Sequence, residues 1–298
     1  MPSLTDLEQF LVTGLTLGGI YALSGVGMVV LFQATGVLYL AFGAVGALGA
    51  LVAWQLTTSS GFGFWPAFIV AILVGGVVTL AYGMVFGPAL ANRDPLVKAT
   101  ATLGLTLILL GVMDLLWPSS GGASRSITVP TDSNTFNIGD ISVTYTNVIA
   151  LGLGLAIAGL TSAFLRFTKL GTAMRAMAND RDITATLGVP VRRVTAAAWF
   201  GCGLLAGLAG VLLGDLVALD ATTLTFLVIS TLAATLIGRL RSIWITFWAA
   251  IVIGVVDAEL TPINSVSNYR DATPFVLAAI ALFVLNRRAG ISVGRQGV

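Results

Sequence analysis

Long runs of apolar residues dominate the hydropathy pattern of this 298-residue chain. A helix needs about 20 such residues to cross the ~30 Å hydrocarbon core of a bilayer. Nine runs meet or approach that length, at about 11–32, 37–56, 65–87, 99–117, 146–166, 194–217, 222–238, 243–258 and 273–286. The pattern predicts an all-α polytopic membrane protein, because backbone in lipid must satisfy its own hydrogen bonds and no run alternates like a barrel strand.

The pattern allows either eight or nine transmembrane helices. The last three runs are short, and the join between the first two carries no charge, only Gln33, Thr35 and Gly36. One of these segments could therefore be re-entrant instead of spanning. The first run follows Asp6 and Glu8 instead of the basic residues of a signal peptide, so we expect a retained helix.

Composition strengthens the membrane interpretation. Hydrophobic residues make up 57% of the chain and charged residues 9%, with a mean hydropathy of +0.98. Residues 1–298 leave no room for a separate soluble domain of about 100 residues, so a single transmembrane domain is expected. Histidine is absent and the one cysteine, Cys202, lies in an apolar run, so neither a disulfide nor a metal site is indicated. The net charge of +2 is too small to imply a nucleic-acid partner.

The lysines and arginines are unevenly divided between the two sides of the predicted domain. With nine spans and an outside N-terminus, 13 of the 15 lie on the cytoplasmic side, and only Arg125 and Arg270 lie outside. Basic residues in short loops stay cytoplasmic, so this orientation is predicted. The polar stretch 171–193 is then cytoplasmic, whereas the connection 118–145, which ends in the β-like IGDISVTY, is external.

The cytoplasmic stretch GTAMRAMANDRDITATLGVPVRR begins at Gly171. AMRAMA favours a helix, and Asn179 and Asp180 can cap a second short helix that runs to Leu187. Gly188 suits a left-handed C-terminal position, and Pro190 can open the next helix. Four apolar positions could dock on a partner or on the protein's own helix ends: Met174, Met177, Ile183 and Leu187. Periodicity alone does not separate this arrangement from an ordinary solvated loop.

This loop resembles that of the integral-membrane permeases of ATP-driven (ABC) branched-chain amino acid importers, which commonly reads GxAMRAxAxDxxxAxLLGIxxxRV. Here it reads GTAMRAMANDRDITATLGVPVRRV, and GCGLLAGLAGVLLG follows, similar to the family's next helix. GLTLGGIYALSGVGMVVLFQATGVLYLAFGAVGALGA and TLGLTLILLGVMDLLW are similar to other helices of the family. The resemblance covers most of residues 11–217. It weakens after about Thr222, where LIGRLRSIW replaces a typical VLGGLGS.

The resemblance implies a permease subunit of the bacterial cytoplasmic (inner) membrane. Its partners would be a second permease subunit, identical or related, two ATP-binding subunits and an extracytoplasmic solute-binding protein. ATP would be hydrolysed on those separate subunits, since the chain has no GxxxxGK[ST] phosphate loop, and no cofactor is implied. The loop at about 168–193 would couple the permease to the ATPase. The family's coupling residues carry over to Met174, Arg175, Ala176, Asn179, Asp180, Leu187 and Gly188.

Polar residues at membrane depth are candidates for a solute pathway, because they are costly in lipid. Their hydroxyls can instead bond to their own helix, so no single one is distinguished. The candidates are Tyr21, Gln33, Thr35, Thr102, Thr106, Ser230, Thr231 and Thr235. The acidic residues Asp114, Asp215, Asp220, Asp257 and Glu259 lie near outer helix ends, where we expect them to be solvated.

A small neutral or zwitterionic solute is indicated, because no buried fixed charge is expected that could balance an ion. The resemblance implies branched-chain or other aliphatic amino acids, with urea or short amides as the near alternative. A passive facilitator is the alternative from another class, since Thr, Ser and Gly can line a pore. A membrane enzyme is disfavoured by the absence of histidine, of HExxH and of a closely spaced pair of intramembrane carboxylates.

Glycines recur at helical spacing, as in Gly14 and Gly18, Gly203 and Gly207, Gly210 and Gly214, and the series Gly43, Gly46 and Gly49. Such spacing permits close backbone approach between membrane helices. The pattern favours helix packing within the subunit, with a subunit interface as the alternative.

Overall fold

The computed structural model describes residues 4–91, 93–118, 125–127, 129–130, 135–138, 141–217, 219–226, 228–261, 273–281 and 283. These residues are mostly helical, in the order α1 (Leu4–Thr35), α2 (Phe42–Ser59), α3 (Phe64–Leu90), α4 (Pro95–Leu116), α5 (Tyr145–Phe167), α6 (Lys169–Asn179), α7 (Arg181–Thr186), α8 (Val191–Leu216), α9 (Ala221–Phe226), α10 (Val228–Ile237) and α11 (Ile243–Leu260). An antiparallel hairpin, β1 (Thr135–Ile138) and β2 (Ile141–Thr144), precedes α5. It includes the β-like stretch recognised in the sequence.

Seven helices of the described residues are long and apolar enough to cross a membrane: α1, α2, α3, α4, α5, α8 and α11. The seventh predicted run, at about 222–238, is helical as α9 and α10, on either side of residue 227, which lies outside the described residues. The ninth run is helical over 273–281 and continues outside the described residues. The all-α class is confirmed, whereas the total of eight or nine spans and a re-entrant segment remain predictions.

Helix α1 lies at the centre of the bundle and packs against α5, α8, α10 and α11. It runs antiparallel to α11, with Gly14 beside Val255 and Gly18 beside Ile251. Helix α8 is antiparallel to α3 and parallel to α2. At the crossing with α2, Gly210 lies against the Gly46 carbonyl, and a Cβ on Gly210 would overlap that oxygen. The prediction that these glycines pack helices within the subunit is confirmed.

The alternating helix directions bring nearly all described basic residues to one end of the bundle. This end carries the C-terminal ends of α1, α3 and α5, the beginnings of α4, α8 and α11, and both short helices α6 and α7. The other end carries Arg125. Arg270 lies outside the described residues.

Candidate solute pathway and coupling surface

Helices α1 and α2 are joined by a non-helical segment that lies within the bundle, residues 36–41. Gly36 leaves α1 with φ +66°, a left-handed conformation that glycine adopts readily. The ring of Phe42, at the start of α2, packs beside Gly27. Gly27 precedes the end of α1 by eight residues, or about 12 Å of helix. After the end of α1 the chain therefore runs back alongside α1, as unwound backbone, over roughly this 12 Å.

Thr102 of α4 supplies hydrogen bonds to this unwound segment. Its hydroxyl lies 3.0 Å from the Leu38 carbonyl oxygen and accepts a 3.2 Å bond from the Leu40 N–H. It also lies 2.8 Å from the carbonyl oxygen of Ala99 in its own helix. Irregular backbone in a membrane protein persists only where protein groups or water satisfy it. The predicted pathway residue Thr102 thus holds the segment in place, and Thr106 donates to the Thr102 carbonyl one turn further along.

We expect Thr102→Val to destabilise the fold by about 1–3 kcal/mol, because it leaves half-buried backbone groups of Leu38 and Leu40 without this partner. The midpoint of thermal unfolding of the purified protein measures the effect. Thr100→Val is the matched control, since the exposed Thr100 hydroxyl bonds only to Leu96 within α4. Equal midpoints for the two variants would contradict the role assigned to Thr102.

A buried aromatic cluster covers the same segment. The Tyr39 hydroxyl is 3.2 Å from the Thr79 hydroxyl of α3, and the Tyr39 ring packs perpendicular to the Trp199 ring of α8 with centroids 5.4 Å apart. The Trp199 ring also packs against the Tyr82 ring, with the two ring centroids 5.6 Å apart. Sequence analysis did not single out Tyr39, Thr79 or Trp199. The one available signal was the location of Tyr39 just after the uncharged join of the first two runs.

A cavity of about 300 Å³ opens beside this cluster toward the basic end of the bundle. Its lining includes Thr35, Gly83 and Trp199 together with the cationic residues Arg181 and Arg192. Of the predicted pathway residues, Thr35 alone is among those that line it, and its hydroxyl donates to the Leu31 carbonyl. The cavity links the unwound segment to the short helix α7.

The remaining pathway candidates lie elsewhere in the bundle. Tyr21 is fully buried in α1, and Ser230, Thr231 and Thr235 are buried in α10. Gly25 of α1 faces the methyl groups of Thr231, Thr235 and Thr246. Gln33 lies at the basic end, where its side-chain amide donates a 2.6 Å bond to the Arg241 carbonyl. The structure therefore divides the candidates between the unwound segment, the α1–α10 contact and the basic end, and they do not form one continuous lining.

The opposite end of the bundle has a cavity of about 280 Å³ with charges of both signs. Arg125 donates to the carbonyls of Trp117 and Pro118, at 3.1 and 2.9 Å, and its guanidinium lies 5.2 Å from the ring centre of Trp54. Asp114 and Asp220 line the same cavity, and Leu51 and Leu110 supply apolar walls. A fixed guanidinium and two carboxylates thus share a space of small-molecule size.

Asp257 corrects one expectation about the acidic residues. It was predicted to be solvated near an outer helix end, but its exposure is only 4%. Close packing explains this, because Gly14 of α1 lies against Gly254, Val255 and Ala258 of α11 and brings the two helices together around this position. Asp215 is half-buried and accepts a 2.9 Å bond from the Val129 N–H.

The predicted coupling loop forms α6 and α7. Asp180 caps α7 by accepting bonds from Asp182 N and Ile183 N, both at 2.9 Å, and Gly188 has φ +81°, in the left-handed region predicted for it. Asn179 is instead the last residue of α6. Pro190 stands at the N-cap of α8. The local backbone features were therefore largely predictable.

Burial separates the apolar residues of this loop into two groups. Met174 (2% exposed) and Met177 face the bundle, and Gly171 lies against Phe164 and Leu165 of α5. Ile183 and Leu187 of the α7 region are 59% and 77% exposed. Arg175, Asn179, Asp180 and Gly188 are also exposed, and Ala176 is half-buried. The structure thus presents an apolar patch, Ile183 with Leu187, on a helix pair anchored by its other face.

The matches to known proteins fit this architecture. The family described as "Branched-chain amino acid transport system / permease component" matches residues 10–290. The chain belongs to this permease family. The high-affinity branched-chain amino acid transport system permease protein LivH of Escherichia coli is 26% identical over 301 residues, 93% of this chain and 95% of that protein. BraD of Pseudomonas aeruginosa, a permease protein of the same description, is 27% identical over 314 residues, 100% and 99% of the two chains.

A solved structure of PsaBC from Streptococcus pneumoniae in complex with Fab covers 94% of this permease and 90% of that chain, with a TM-score of 0.49 and 18% identity. The family match also includes the final third of the permease, where the sequence LIGRLRSIW departs from the usual pattern. In that stretch Arg239 and Leu240 have φ of +52° and +55°. Glycine is favoured in this conformation, so Arg239 and Leu240 hold a backbone conformation that other residue types adopt at a cost.

Proposed function

We propose that this permease is the membrane subunit of an ATP-driven importer that carries branched-chain or other aliphatic amino acids. Residues 1–298 form its single transmembrane domain, in the bacterial cytoplasmic membrane, with the N-terminus outside and the α6–α7 end inside. ATP is hydrolysed on two separate ATP-binding subunits. A second permease subunit and an extracytoplasmic solute-binding protein complete the importer.

The anchored, partly apolar helix pair α6–α7 is the observation that carries the ATP-driven assignment. A passive facilitator has no need of such an element. The exposed patch of Ile183 and Leu187 has the chemistry of a protein contact, since large apolar side chains at a polar surface gain most by being covered. We assign the contact with the ATP-binding subunit to this patch, together with Arg175, Ala176, Asn179, Asp180 and Gly188, and Met174 acts by anchoring α6.

A short connection leads from this surface to the unwound segment. Helix α7 joins α8 through Gly188 and Pro190, and α8 carries Trp199, which packs on Tyr39. Packed cores transmit small displacements because they are not continuously deformable. Movement of α7 by the ATP-binding subunit would therefore shift Trp199 and open or close the path beside Tyr39, Thr79 and Thr35.

The external cavity supports a zwitterionic solute. Arg125 can pair with an α-carboxylate, Asp114 and Asp220 with an α-ammonium group, and Leu51 and Leu110 can contact an aliphatic side chain. Urea would use only part of this arrangement, since it has neither a fixed charge nor an apolar side chain. Charge complementarity thus favours the amino acid over the amide.

Uptake of labelled leucine tests this function directly. Cells that express the permease with its companion subunits should accumulate leucine, and unlabelled isoleucine or valine should compete at least tenfold better than urea or glucose. The same cells with a hydrolysis-deficient ATP-binding subunit are the control and should show no accumulation. Equilibration that persists without ATP hydrolysis would establish a facilitator, and competition by urea alone would establish an amide permease.

A further inference from the structure

A wide cleft at the basic end of the bundle lies apart from the proposed path. It has a volume of about 550 Å³ and is formed where α5, α6 and the turn before α11 meet. Arginines from all three elements line it, namely Arg166, Arg175 and Arg241. No aspartate or glutamate is among its described lining residues. Three guanidinium groups without a carboxylate between them make this cleft a site for an anion.

The beginning of α11 adds to the positive potential. Ser242 caps this 18-residue helix by accepting from Ile245 N, and Ser242, Ile243 and Trp244 all line the cleft. The first N–H groups of a helix and its dipole favour negative charge at that end. The anion would therefore meet backbone donors as well as arginine side chains.

Backbone geometry holds Arg241 at the edge of the cleft. The turn before it carries Arg239 and Leu240 in the left-handed region, which is unfavourable for both residue types. The Gln33 side chain of α1 donates to the Arg241 carbonyl at 2.6 Å and fixes the turn from the other side. Gln33, predicted to line a solute pathway, is thus used here to position a cationic residue.

Apolar side chains beside the cleft indicate which kind of anionic molecule it would bind. Trp244 and Trp248 are exposed one turn apart on α11, and Phe167 is exposed next to Arg166. Because Trp244 lines the cleft and Trp248 follows it on the same helix, the cleft adjoins an exposed apolar surface.

We propose that this cleft binds the phosphate headgroup of an anionic phospholipid, with the acyl chains along Trp244 and Trp248. Arginine-rich recesses on the cytoplasmic side of membrane helices suit such headgroups, and aromatic rings suit the interface. The headgroup bridges Arg175 of α6 to Arg166 and Arg241. Since α6 is part of the coupling element, the bound lipid fixes its position on the bundle. The cytoplasmic placement of the cleft rests on the proposed orientation.

The test uses the full-length permease in nanodiscs of phosphatidylcholine or of phosphatidylglycerol with phosphatidylcholine. We expect phosphatidylglycerol to raise the unfolding midpoint by several degrees, as a ligand of the folded state does. Arg166→Gln with Arg241→Gln should abolish the shift, and Arg166→Lys with Arg241→Lys should retain most of it. Arg239→Gln removes an exposed charge from the same turn but not from the cleft, and should leave the shift intact.

Native mass spectrometry provides a readout that does not depend on stability. The unmodified permease should retain phosphatidylglycerol through detergent exchange at least tenfold better than the double glutamine variant. A midpoint shift that inorganic phosphate in solution reproduces would identify a soluble anion site and overturn the lipid assignment. Equal retention of phosphatidylglycerol by the two proteins would also overturn it.

A loss of ATPase co-purification in the glutamine variant, without any effect on lipid binding, would assign the arginines to protein docking instead of lipid binding. Each result is independent of leucine uptake, so failure here leaves the transport function separately testable.

Discussion

Gly210→Ala is expected to abolish correct packing of α8 against α2. The added Cβ would overlap the Gly46 carbonyl oxygen, and its neighbours there are backbone atoms that cannot rotate away. Overpacking of a well-packed core commonly costs 1–3 kcal/mol, and a rigid backbone contact belongs at or above the upper end, about 3 kcal/mol. We expect a large loss of monodisperse permease after detergent extraction and a strongly lowered unfolding midpoint.

Gly201→Ala is the matched control for this effect. Gly201 lies on the same helix, and a Cβ there would have no neighbour within 4 Å. Alanine also has the higher helix propensity, so this variant should be as stable as the unmodified protein or slightly more so. Comparable losses in both variants would show that α8 needs glycine for flexibility, and the packing explanation would then be wrong.

The sequence predicts best what depends on neighbouring residues. The apolar runs identified six long helices and α11, and IGDISVTY indicated the β-strand region before α5. Asp180, Gly188 and Pro190 predicted the cap, the left-handed residue and the helix start in the coupling loop. In each case the physical cause acts over a few residues along the chain.

Features made by distant parts of the chain were not predictable in the same way. Tyr39, Thr79 and Trp199 come together from three separate segments, and nothing in the local pattern distinguishes them from ordinary core residues. The burial of Asp257 depends on small residues of α1 packing against α11. Pathway candidates chosen by polarity alone included Thr102, whose hydroxyl is used by the backbone of another segment.

The coupling loop contains both kinds of feature, those that the local sequence predicts and those that depend on distant parts of the chain. Its apolar positions gave no reason to separate Met174 and Met177 from Ile183 and Leu187. The fold separates them because Gly171 lets α6 lie directly on α5, which buries the two methionines, whereas α7 turns away after Asp180. The exposed pair is therefore the part of the loop that remains available to a partner.

Ile183→Gln with Leu187→Gln is expected to reduce leucine uptake at least tenfold while the permease folds normally. Covering a large apolar side chain contributes about 1.5–3 kcal/mol, so removing two from a contact weakens binding by tenfold or more. The folded state should be little affected, because both side chains are exposed in the isolated permease. Uptake, the unfolding midpoint and co-purification of the ATP-binding subunit measure the three consequences separately.

The matched control is Ile183→Met with Leu187→Met, which keeps side chains of similar length and helix propensity but leaves them apolar. This variant should retain both co-purification and uptake. If the glutamine variant also retained its ATP-binding subunit and transported normally, the apolar patch would not be the docking contact. Coupling would then have to pass through the polar residues Arg175 and Asn179 on the exposed side of α6. Loss of uptake with normal co-purification would instead show that the patch transmits motion from the ATP-binding subunit without contributing to the affinity for that subunit. In that case the ATP-binding subunit would still bind, but its movement would no longer reach the permease.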